Sequence, residues 1–108
     1  MSPESEDRWL NTLLPIAQGH AQSVVYHEFV TLLNPKYRGK NWNWENFEEF
    51  AVRHAEVTAY QSFSDSDWNK YENYIRETAR RTARIWARTV MQDSGLMDWW
   101  PNPEKVTP

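Results

Sequence analysis

The chain has no cysteine and only three glycines in 108 residues. The first absence excludes disulfide staples, thiolate chemistry and every zinc site built on cysteine. A chain of one-domain length must then be held by its own apolar core. The second leaves few points where backbone freedom can interrupt a helix, and the prolines gather near segment ends. No apolar run approaches the roughly 18 residues of a membrane span. The first residues, MSPESEDRW, are acidic and lack the apolar stretch of a secretory signal. The reading is a soluble, cytoplasmic protein with no membrane partner.

What is present is aromatic. Seven tryptophans, five tyrosines and four phenylalanines, with 40% hydrophobic residues, exclude a disordered chain. The apolar spacing is helical almost throughout, with no strand pattern and no repeat. A first segment, SPESEDRWLNTLL, has Ser2 or Ser5 as cap and Pro3 at an opening position. Pro15 removes a helical hydrogen bond, so a break or sharp kink is expected near 14–19, helped by Gly19. A second helix is expected over about 19–33, ended by Asn34-Pro35. A third is expected over about 44–61, burying Trp44, Phe47, Phe50, Ala51, His54, Ala55 and Thr58. A fourth, over about 65–94, is the longest.

Two helix starts carry the same signature. Trp42 and Phe47 flank Asn43, and Phe63 and Trp68 flank Ser64, as in a hydrophobic staple around an N-cap. Trp42 and Trp44 therefore read as packing residues. The expected architecture is an all-α bundle of about four to five helices over 1–98. A tail over 99–108 contains Trp99 and Trp100, which are expected to fold back onto the bundle.

Charge is unevenly placed. The chain carries −3 overall. Residues 1–67 hold five basic and ten acidic side chains, whereas residues 68–88 hold six basic and two acidic. At about 100° per residue, Lys70, Arg76, Arg80, Arg81, Arg84 and Arg88 fall on one side of the fourth helix, opposite its apolar stripe. Glu72 precedes Arg76 by four and Glu77 precedes Arg81 by four, a favourable order for pairing. Arg84 and Arg88 have no acid three or four positions away. Arginine forks match phosphate and carboxylate oxygens two at a time. The loop PKYRGK adds Lys36, Arg38 and Lys40 around Tyr37, an aromatic-basic mixture suited to nucleic acid.

Other chemistry is poorly represented. His20, His27 and His54 match neither HExxH nor a Glu-x-x-His pair, and His54 lies among apolar neighbours. No metal or cofactor is expected, and His54 reads as a structural residue. There is no serine–histidine–aspartate pattern, glycine-rich phosphate loop or dinucleotide fingerprint. The sequence thus points to a non-enzymatic accessory subunit of a nucleoprotein assembly, contacting phosphates through the arginine ridge. The alternatives are a module docking on an acidic protein through that ridge and a tryptophan anchor, or a metal-binding helical protein built around His54.

Overall fold

A computed structural model describes residues 1–33 and 44–93. Every element among the described residues is a helix, and none of these helices is long and apolar enough to cross a membrane. The elements are α1 (Pro3–Arg8), a π-helical turn (Trp9–Leu13), α2 (Leu14–Leu33), α3 (Trp44–Thr58), a 3-10 turn (Ala59–Ser62) and α4 (Asp65–Asp93).

The expected break around Pro15 does not occur. Arg8, Trp9 and Leu14 keep right-handed helical dihedrals, so α1, the π turn and α2 form one continuous rod. The Leu14 N–H reaches back five residues to the Trp9 carbonyl. This widened turn lies immediately before Pro15, which has no N–H to donate and whose ring crowds the turn before it. The helix takes up the proline by loosening one turn instead of ending. Among the described residues three rods result, fewer than the four to five helices expected. Gly19 lies inside α2, and a methyl group built on its Cα would meet nothing within 4 Å. It neither breaks the helix nor admits a close neighbour.

Two predicted caps are present. The Ser2 hydroxyl accepts from the Ser5 N–H, with Pro3 opening α1. The Ser64 hydroxyl accepts from the Asp67 N–H at 3.2 Å. Phe63, in extended backbone, and Trp68 both pack on the core. Asp67 also accepts from Arg8 Nη2 and Nε, at 2.7 and 3.1 Å, tying α1 to the start of α4. That guanidinium holds the Asp67 carboxyl below its ordinary range. Trp42 and Asn43 of the other expected staple, and Trp99 and Trp100, lie outside the described residues.

The core is built from rows at every fourth residue. Trp9, Leu13, Ala17, Ala21 and Val25 line the first rod. Phe47, Ala51, Ala55 and Ala59 line α3 and its 3-10 extension, while Tyr71, Ile75, Ala79, Ala83, Ala87 and Met91 line α4. Such rows form the ridges along which helices interlock. In an ideal α-helix each step drifts by about 40°, and the wide π turn takes back part of that drift. Eight of these residues are alanines with no exposed surface, which lets the axes approach closely. Larger side chains close the two ends. Trp9 stacks on Tyr71 at 6.1 Å at one, and Phe29 meets Phe47 edge-on at 6.3 Å at the other.

The contacts fix the directions of the rods. Tyr71 donates to the Ser5 carbonyl, Trp9 lies against Tyr74, and Tyr26 lies against Trp86. The first rod therefore runs parallel to α4. Glu28 pairs with His54 and His20 with Thr58, so α3 runs antiparallel to the first rod. Several assignments in the α3 core change, and His54 and Thr58 are only partly buried. Phe50 is 62% exposed, whereas Val52 is buried. The α3 row has a four-residue step from Phe47, which turns Phe50 outward.

Candidate nucleic-acid interface

The arginine side of α4 is less uniform than a helical wheel makes it. Tyr71 departs from helical dihedrals (φ −116°, ψ 15°), kinking α4 near its start. Lys70 precedes that kink and sets its ammonium 5.5 Å from the Tyr71 ring centre, apart from the arginines. Arg76 turns inward. Its guanidinium lies 5.4 Å from the Trp68 ring centre, in cation–π range, and within 3.5 Å of Glu72 and 3.8 Å of Glu56. The Glu72 contact is one of charge without hydrogen-bond geometry, because the buried Arg76 Nε makes no hydrogen bond. Arg76 therefore braces the α3–α4 seam.

The remaining four arginines form the outward surface. Arg80, Arg81, Arg84 and Arg88 surround Ile85, and with Glu77 they line a shallow basin of about 390 Å³. Ile85 is 59% exposed and gives the basin an apolar floor. Arg81 pairs with Glu77 at 2.6 Å, as the i,i+4 spacing predicted. Arg80 lies 3.8 Å from Glu56 of α3. Arg88, which has no acid near it in sequence, donates to Glu48 of α3 at 2.6 Å. Sequence spacing missed this pair because its partners are forty positions apart. Arg84 makes no ion pair among the described residues, so it alone keeps the status that its spacing predicted. The loop cations Lys36, Arg38 and Lys40 lie outside the described residues.

A second, larger hollow runs between α3 and α4. Its volume is about 560 Å³, and Asn46, Glu49, Phe50, Val52, Arg53, Glu56 and Arg84 line it. Arg84 thus borders both hollows. Arg53, like Arg84, makes no ion pair among the described residues, even with Glu49 one turn earlier.

The histidines take another role. Glu28, buried in α2, meets His54 Nδ1 at 2.5 Å. His54 itself lies at the edge of the core, with 40% of its side chain exposed, and not in the middle of the apolar row. The Thr58 hydroxyl donates to the His54 carbonyl at 2.6 Å. His20 Nε2 lies 2.9 Å from the Thr58 hydroxyl and its Nδ1 lies 3.1 Å from Ser62. With the Thr58 proton committed to the carbonyl, Nε2 is the donor, and in the neutral ring Nδ1 accepts from the Ser62 hydroxyl. Burial pushes the His20 pKa below its ordinary value, an effect that nearby His54 reinforces and the Ala55 carbonyl opposes. No three histidine or acidic side chains among the described residues gather as a metal site.

Comparison with protein-family models, with characterised proteins and with solved structures finds no match. The described residues define a helical bundle of three rods bearing an arginine-lined basin.

Proposed function

We propose that this chain is a non-enzymatic helical accessory subunit of a nucleoprotein assembly, contacting nucleic-acid phosphates through the outer side of α4. The supporting observation is the basin of Arg80, Arg81, Arg84 and Arg88 around Ile85, with Arg84 free of any ion pair among the described residues. The glutamate partners of the other three do not close the surface. The paired arginine side chains are 54%, 70% and 61% exposed. Exposed pairs of this kind contribute about 0–1 kcal/mol. A phosphate offering two oxygens to a guanidinium fork competes with them on favourable terms. Phosphate contacts position a protein on nucleic acid without reading bases. The overall charge of −3 favours binding beside partners that hold the nucleic acid, over capture of it from dilute solution.

The test is binding of the Arg80→Ala/Arg84→Ala variant to oligonucleotides across a salt series. Affinity should fall alike for all base sequences, and the salt slope should shrink by roughly one unit for each phosphate no longer neutralised. Unchanged affinity and slope would remove the phosphate reading. A second reading has an observation of its own: within this fold the same arginines accept carboxylates as partners, Glu48 and Glu56 among them. An acidic protein partner would lose association with this variant in nuclease-treated samples.

A further inference from the structure

The α3–α4 groove differs from the basin beside it in carrying an aromatic ring. Phe50 lines the groove and is 62% exposed, which leaves most of an apolar ring in water. Its position is supported from behind. Buried Glu28 holds His54 through Nδ1, and the His54 ring meets Phe50 edge-on at 6.2 Å. A side chain anchored in the bundle thus steadies an aromatic ring that faces water.

On the same groove stand Arg53 from α3 and Arg84 from α4. Neither makes an ion pair among the described residues. The groove's acids do not cancel them fully, because Glu56 already has Arg76 at 3.8 Å and Arg80 at 3.8 Å. Glu49 is the one further acid on the lining. The hollow of about 560 Å³ opens to the surface beside the arginine basin, and Arg84 borders both. An exposed ring beside guanidinium groups that have no ion pair among the described residues suits a ligand that alternates flat rings with phosphates. A duplex keeps its base faces stacked inside, so it can use the arginines but not Phe50. An unpaired strand offers both.

We infer that the α3–α4 groove is a single-strand site, in which Phe50 stacks on a base while Arg53 and Arg84 hold the flanking phosphates. This rests on the phosphate-contact reading of α4 and adds to it the class of strand. The site selects single-stranded over duplex nucleic acid, and it does so without preference among bases, because every base has a stacking face.

The experiment uses the full chain and fluorescently labelled homopolymeric DNA and RNA strands, beside a duplex of equal length, measured by anisotropy across a salt series. The wild type should bind the single strands more tightly than the duplex. Phe50→Ala should weaken single-strand binding by about tenfold, within the range of one base stack removed, with the salt slope and duplex affinity unchanged. Phe50→Tyr should restore it. Arg53→Ala/Arg84→Ala should lower both affinity and slope. Phe50 is exposed, so a melting curve should show Phe50→Ala folded. Equal weakening on duplex and single strand, or no weakening at Phe50→Ala, would overturn the single-strand site while leaving the α4 phosphate surface standing. Failure of the wild type to bind any strand, at low salt and with its co-purifying partners present, would overturn both.

Discussion

The two seams that flank α3 are closed by different chemistry. Toward α2 it meets a buried carboxylate, a half-buried histidine and a short chain of hydroxyls around His20. Toward α4 it meets the exposed Arg80 and Arg88, at 3.8 and 2.6 Å, beside an inward-turned Arg76. Both seams lie over the same alanine rows. Polar groups withdrawn from water must be satisfied, so the α2 seam is costly to disturb and contributes specificity of packing. Ion pairs that keep their water contribute little to stability and exchange partners readily. The α4 seam can therefore serve binding without putting the fold at risk, and the α2 seam cannot.

The largest effect should come from the floor that the seams share. Phe47→Ala removes a ring that is 2% exposed and should cost about 3–5 kcal/mol of unfolding free energy in a denaturant titration. A loss below about 1 kcal/mol would mean that α3 packs through another row. Next comes the α2 seam. His54→Ala strands the Glu28 carboxylate and should cost about 1–3 kcal/mol. Replacing both, as His54→Ala/Glu28→Leu, should recover most of that loss, because the stranded buried carboxylate is then replaced by an apolar group. A double variant no more stable than the single would show that Glu28 has another partner.

His20 sharpens the same side of the comparison. Its folded pKa is depressed, so the unfolded chain binds the proton more readily. The contribution of the neutral ring is complete above the ordinary histidine value near 6.5 and is lost as pH falls from there through the depressed folded value. A His20→Gln variant should show a flatter fall in melting temperature over that window than the wild type. Parallel curves would remove His20 from the acid response.

Smaller changes lie outside the two seams or on the exposed one. Gly19→Ala should stabilise by about 0.5–1 kcal/mol, since the glycine stands in open space inside a helix. A destabilised variant would place an unseen neighbour against α2. A double-mutant cycle on Arg88 and Glu48 should give a coupling of about 0.2–1 kcal/mol. A coupling above about 2 kcal/mol would place this pair with the buried seam and weaken its availability for phosphate.

Much of the bundle was legible along the chain, because helical content, caps and charge placement are local properties. Ser2 and Ser64 each sit three residues before the N–H that they accept, so their roles follow from spacing alone. The Glu77–Arg81 pair is likewise one helical turn long. The same locality misjudged Pro15. A proline states which bond it removes, and not whether the preceding turn can widen to receive it. It also misjudged Phe50, since a helical wheel admits two neighbouring stripes and packing chooses one.

The sequence by itself determined that the described elements are helical, that α1 and α4 open at the Ser2 and Ser64 caps, and that basic residues crowd the last helix. Tertiary structure decided what those residues face. Arg76 turned inward onto Trp68, Arg88 found Glu48 on another helix, Glu28 took His54, and Arg84 was left with no ion pair among the described residues. The physical reason is one of reach. A side chain's neighbours along its own helix follow from about 3.6 residues per turn. Its neighbours across a seam depend on the rotation and height at which two rods pack, and that is set by the rows of alanines between them.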